Sequence, residues 1–160
     1  MAHSIELLLD ERADAAVRRI ASHRNRPHIT LIAAERIDPE VDPVLTELAD
    51  RFPVPAVIGA PLVFGGGRLT LARLVVPTGR LLALHEKVHD VCRPFVPTFF
   101  AHCAPGEWTP HVTLGRRFTP AQVGEALAAV DGITADIRAG IVGLRRWDGD
   151  AKREYLITAD

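Results

Sequence analysis

Two short stretches carry residues whose types and spacing could do chemistry, His28-Ile29-Thr30 and His111-Val112-Thr113. Each has a Pro before the histidine and a Leu after the threonine. Pro27 to Leu31 and Pro110 to Leu114 are therefore one pentapeptide with a single Ile/Val exchange, repeated about half a chain apart. A lone His-x-Thr arises readily by chance and is ordinarily structural. Matching flanks on both copies make coincidence a poor account, and the pattern reads as an internal duplication. In extended chain, residues two apart face the same way, about 6–7 Å from each other. His28 thus shares a face with Thr30, and His111 with Thr113. Two such strands side by side would offer two imidazoles and two hydroxyls to one volume suited to a phosphate.

That set suffices to open a phosphodiester. One imidazole can take a proton from the attacking oxygen while the other gives one to the leaving oxygen, because imidazole titrates near neutrality. The threonine hydroxyls can hold the non-bridging oxygens and stabilise charge as it develops on them. Neither a metal nor a cofactor is required. The near-symmetry of the motif leaves open which histidine is acid and which is base. Pro27 and Pro110 read as structural, fixing the start of each strand. Arg26 and Arg117 have the parity to face the same cleft, but flanking arginines are ordinarily solvated and neither is assigned to the site.

The surrounding pattern is mixed α and β. Ile5 to Leu9 has strand length and apolar character, and Asp10 is a suitable N-cap for a helix reaching His23. Strands are predicted at His28 to Ala34 and Pro110 to Arg117, and a helix between Pro43 and Phe52. Val54–Phe64 and Arg68–Val76 form a hairpin around Gly65-Gly66-Gly67; a phosphate-cradling loop would need G-K-[S/T] and a following helix instead. Helices follow from Thr78 to Arg93 and from Thr119-Pro120, the latter ending at Gly132. Ile133–Arg146 and Glu154–Thr158 close the pattern as strands joined around Asp148-Gly149.

Composition restricts the classes open to the chain. Its 160 residues suit one domain spanning 1–160, and 48% hydrophobic with 24% charged residues is ordinary for a folded globular protein. A net charge of −1 gives no broad basic field for a long nucleic-acid duplex, so any nucleic-acid contact must be local. Cys92 and Cys103 are too few for a disulfide scaffold and are expected as free thiols. No targeting or membrane-spanning segment is read, which makes the cytoplasm the default, and a monomer is expected.

A competing motif is His85-Glu86-Lys87-Val88-His89, an H-E-x-x-H on a predicted helix, which in a zinc hydrolase supplies two ligands and a base. A third ligand would have to be His102 or Glu107, outside any recognised extension. Leu81, Leu84, Val88, Val91 and Cys92 make the apolar face of that helix, with His85 at its margin and His89 farther round. A packed boundary helix accounts for them. A third reading is a non-catalytic module binding RNA ends or nucleotides, in which an exposed aromatic among Phe64, Trp108, Phe118 and Tyr155 would stack a base.

The paired pentapeptides resemble the 2H phosphoesterases, whose members include bacterial 2′–5′ RNA ligases and cyclic nucleotide phosphodiesterases with two H-x-[S/T] motifs. His28, Thr30, His111 and Thr113 match that family's catalytic tetrad. The resemblance implies a bilobal α+β fold, two pseudo-symmetric halves with antiparallel sheets flanking a central cleft and helices outside. It also implies metal-independent action on a 2′,3′-cyclic phosphate or 2′–5′ phosphodiester of a nucleotide or RNA end, with ligation as the reverse reaction.

Overall fold

The amino-terminal apolar run forms β1 (His3–Leu9), buried along its whole length, and Asp10 caps α1 (Glu11–Ile20) by accepting the Ala13 N–H. The computed structural model describes residues 2–129 and 135–158. α1 stops before the expected His23 because Ser22 N–H donates to the Leu114 carbonyl at 2.8 Å, drawing the chain out of the helix. β2 (His28–Ala34) lies where the sequence places it. The single helix expected before Phe52 is instead α2 (Val41–Thr46) and a 3-10 turn (Ala49–Arg51), interrupted at Leu48.

β3 (Val54–Phe64) and β4 (Leu69–Val75) pair as the predicted hairpin, with Gly65 at a φ of 103° that a side chain would strain. Thr78 caps α3 (Gly79–Cys92), and β5 (His111–Phe118) follows an irregular stretch. Thr119 and Gln122 cap α4 (Pro120–Ala129) reciprocally, each side chain accepting the other's backbone N–H. β6 (Ile137–Asp148) and β7 (Arg153–Thr158) complete the described chain; the expected stop at Gly132 and strand start at Ile133 lie outside the described residues.

The strands form one antiparallel sheet in the order β2-β1-β6-β3-β4-β5, with β7 against the free part of β6. This order reflects a repeat of β-α-β-α-β: β1-α1-β2-α2-β3, then β4-α3-β5-α4-β6. Each half exchanges its third strand. β6 pairs with β1 of the first half, β3 pairs with β4 of the second, and β3 and β6 pair with each other around Ala56 and Ala139. The fold is thus the expected α+β pair of related halves, with its two half-sheets hydrogen-bonded into one. Among the described residues no helix is long and apolar enough to cross a membrane.

Buried Ile, Leu and Val from both halves form a shared core, including Ile5, Leu7, Ile29, Leu31, Val112, Leu114 and Ile141. Packing is tight where β7 meets β6. A Cβ at Gly143 would overlap the Thr158 carbonyl oxygen, while the Thr158 hydroxyl accepts the Leu144 N–H at 2.9 Å. Gly143→Ala is therefore expected to cost about 1–3 kcal/mol in urea unfolding, as overpacking of a rigid backbone contact does. An unchanged midpoint would show that β7 yields freely.

Candidate active site

β2 and β5 are the two ends of the strand order, yet they contact each other, so the sheet curls until its edges meet. Reciprocal straps hold them. Before β2, Ser22 N–H bonds the Leu114 carbonyl and the His23 Nε2–H donates to the Thr113 carbonyl at 3.2 Å. Before β5, Phe100 N–H bonds the Ala33 carbonyl and the Trp108 Nε1–H donates to the Thr30 carbonyl at 2.9 Å. The loop leading to each motif is fastened to the strand of the other. Along both strands the His and Thr are half-buried while Ile29, Leu31, Val112 and Leu114 between and after them are sealed in the core. This is the alternation that the sequence predicts.

The two histidine rings are held in the same way. His28 Nδ1 lies 2.8 Å from the Arg26 carbonyl and His111 Nδ1 lies 2.7 Å from the Thr109 carbonyl, each two residues back across a proline. A carbonyl can only accept, so each Nδ1 carries the hydrogen and each Nε2 of the neutral ring is left with its lone pair, the form a general base needs. The proline at the intervening position has no N–H to compete and a fixed φ.

A cleft of about 330 Å³ opens between the strands, lined by Thr30, Phe64, Thr70, Trp108, His111 and Thr113, with His102, Cys103, Thr109 and Arg116 completing it. Its volume falls in the range of roughly 300–1,000 Å³ that small-molecule sites occupy. Thr30, His111 and Thr113 of the predicted set therefore share one wall system. His28 stands beside it, half-buried and not in the lining, near enough for its charge to act on His111. Burial pushes the His111 ring below the ordinary imidazole value; the positive charges of His28, Arg116 and His102 act in the same direction, while the bond to Thr109 opposes.

The surroundings of the two rings differ. Opposite His28 and Thr30, β1 places Leu8 and Glu6; opposite His111 and Thr113, β4 places Leu74 and Ala72. The first half thus has a carboxylate where the second has a methyl. Glu6 Oε1 lies 3.4 Å from His28 Nε2 and accepts the Ser4 hydroxyl at 2.8 Å. Its Oε2 takes the Arg145 Nε–H, Arg145 continues to Glu154 at 2.6 Å, and Glu154 meets the Arg26 side chain at 3.4 Å. Since Arg26 also offers its carbonyl to His28, the ring sits inside a closed circuit of charges. His111 has instead the edge of Phe64, ring centroids 4.6 Å apart.

Of the cations considered, neither Arg26 nor Arg117 lines the cleft. Arg117 adopts a φ of 60° in a stretch where β5 slips against β4, and this bulge offsets the alternation so that Arg116 takes the inward place. Parity counting from His111 could not reveal the bulge. Glu6 did leave a signal: it is the lone carboxylate within the apolar run from Ile5 to Leu9. Among the aromatics Phe64 and Trp108 reach the cleft, whereas Phe118 packs on the core and Tyr155 lies under the Arg146 guanidinium at 4.2 Å.

The H-E-x-x-H helix is not arranged as a metal centre. His85 and His89 are deeply buried, 2% and 7% exposed, not marginal as their helical positions suggest, while Glu86 faces solvent. His85 Nε2 is shared by the Leu31 and Cys103 carbonyls at 3.1 and 2.8 Å, and His89 stacks on Phe99. Among the described residues neither belongs to a group of three metal-capable side chains. His3, Asp148 and Asp150 do form one, but His3 and Asp150 bond at 2.8 Å and Asp148 accepts two backbone N–H groups. After dialysis against zinc, metal analysis is expected to find no zinc that His89→Ala removes. A stoichiometric ion lost in that variant would restore the zinc reading.

The model of the family described as the 2′-5′ RNA ligase superfamily matches residues 5–151. A structure of Usb1 from Kluyveromyces marxianus is similar, with a TM-score of 0.57 at 13% identity, covering 98% of this chain and 97% of that one. A second structure of that protein, with uridine monophosphate, has a TM-score of 0.52 at 14% identity over the same shares of the two chains. No curated protein sequence matches. That family match, over nearly the whole chain, places this protein in the 2′-5′ RNA ligase superfamily of 2H phosphoesterases.

Proposed function

We propose that the protein is a metal- and cofactor-independent phosphoesterase that opens a 2′,3′-cyclic phosphate or a 2′–5′ phosphodiester at a nucleotide or RNA end. The observation that carries this reading is the matched clamp on the two rings: Nδ1–H to the carbonyl two residues back, in both motifs. Two unrelated structural histidines have no reason to share it. Family membership supports the reaction class, and the uridine monophosphate in the Usb1 structure makes a pyrimidine nucleotide the first probe.

In hydrolysis His111 acts as base. Held neutral by burial, its Nε2 takes a proton from water as the water oxygen bonds to phosphorus. The bond from phosphorus to one ribose oxygen breaks, and His28, its Nε2 facing the Glu6 carboxylate at 3.4 Å, serves as the acid and gives a proton to that oxygen. Thr30 and Thr113 donate hydrogen bonds to the non-bridging oxygens, and the Arg116 guanidinium balances their charge. With the 5′-hydroxyl of a second RNA end in the place of water, His111 takes its proton as the 5′ oxygen bonds to phosphorus, the bond to the 3′ oxygen breaks and His28 protonates that oxygen, so forming a 2′–5′ linkage needs no additional protein group.

A panel of 2′,3′-cyclic nucleotides, 2′–5′ dinucleotides and cyclic-phosphate RNA ends, assayed with and without EDTA, tests the proposal. His28→Ala and His111→Ala should each lower kcat by about 10²–10⁴-fold on the best substrate. Full activity in either variant would rule out the two-histidine mechanism, and unchanged nucleotide binding with no turnover in the wild type would favour a binding module. The profile of kcat/KM against pH should be bell-shaped. Because the base must be neutral and its value is lowered, activity should rise on an acid limb centred below the usual 6.5. Glu6→Gln should lower kcat about tenfold and leave KM within about twofold, the pattern of an interaction made in the transition state.

A further inference from the structure

The buried histidine of the H-E-x-x-H helix has no part in the acid–base step, and its contacts all lead to the cleft. We propose that His85 is a positioning residue that holds the Trp108 indole as the wall on which the flat base of the substrate rests. This deepens the phosphoesterase reading, on which it depends for its substrate class.

The His85 ring lies parallel to the indole, centroids 4.0 Å apart and planes within 4°. One face of Trp108 is thereby covered. Its Nε1–H is bound to the Thr30 carbonyl at 2.9 Å, which ties the same indole to the backbone of the first motif. Trp108 is half-buried and lines the cleft, so the surface it retains is the one a ligand would meet. An indole fixed behind and along its edge is a preorganised stacking platform, sequence-tolerant because every base has a flat face.

His85 is itself anchored. Its Nε2–H is shared between the carbonyls of Leu31, on β2, and Cys103, in a 3-10 turn that lines the cleft. Burial keeps the ring neutral, against the pull of those two carbonyls, and a neutral ring can lie flat on an indole without a charge to solvate. One turn on, His89 stacks on Phe99, centroids 4.1 Å apart, and Phe99 bridges to Ala34 at the end of β2. Both buried histidines of the motif thus brace the chain between Phe99 and Trp108 against β2. Leu or Phe would fill the same space, but neither could reach two carbonyls.

Two variants separate stacking from anchoring. His85→Phe keeps a ring under the indole and loses both hydrogen bonds, and His85→Ala loses everything. The substrates are uridine 2′,3′-cyclic phosphate and the 2′,3′-cyclic phosphate of methyl riboside, which lacks a base. His85→Ala is expected to raise KM for the first about tenfold with kcat within about threefold, and to leave KM for the second within about twofold, as loss of remote binding should. His85→Phe should fall between. Equal rises in KM on both substrates, or a fall in kcat alone, would overturn the proposal.

A second measurement does not require turnover. With Trp147→Phe as background, Trp108 emission should be quenched by uridine monophosphate and not by ribose 5-phosphate, and His85→Ala should weaken that binding about tenfold. Wild-type protein that binds the nucleotide but cleaves no phosphodiester would refute the enzymatic reading and leave this inference standing. Unchanged nucleotide affinity in His85→Ala would refute the inference alone. Should His85→Ala not fold, His85→Phe binding as tightly as wild type, or no Trp108 quenching in the wild type, overturns it.

Discussion

The carbonyl oxygens of Thr30 and Thr113 are each held by a ring N–H from the loop leading to the opposite motif, Trp108 in one case and His23 in the other. Among the described residues the strands at the two ends of the sheet order have no ladder between them, so these straps help to fix the spacing of the two motifs. A hydrogen bond of this kind contributes only about 1 kcal/mol net. Its value is directional: together with Ser22 and Phe100 it sets where the two edges stop approaching. The cleft is the space left over.

Within that symmetric frame the electrostatics are unequal. The position facing the motif threonine holds Glu6 in one half and Ala72 in the other, and the carboxylate brings Arg145, Glu154 and Arg26 with it. Around His111 there is hydrocarbon, Phe64 and cationic neighbours. Identical backbone clamps give the rings the same tautomer, while burial lowers the proton affinity of His111. A duplicated sequence can in this way yield two groups that divide one reaction between them.

The sequence was most legible where local pattern and covalent chemistry decide the outcome. The limits of β2 follow from Pro27 and the branched residues after it, the glycine hairpin from backbone freedom, and the caps at Asp10 and Thr119 from short polar side chains. Non-local contacts were out of reach. α1 ends early because of a carbonyl on β5, far along the chain. Arg116 replaces Arg117 because of a slip against β4, and His85 and His89 are buried because loop aromatics stack on them. The strand exchange was invisible too, since no local pattern says which half a strand will join.

That exchange bears on how such a chain could have arisen. One β-α-β-α-β copy alone would expose the edge of its first strand and leave its third with nothing to pair, an aggregation-prone arrangement. Two separate copies cure both faults by lending each other that strand about a dyad near Ala56 and Ala139. Two identical halves related by that dyad would be bound to present identical sides to the pocket, whereas one covalent chain lets the sides differ, as Glu6 and Ala72 do.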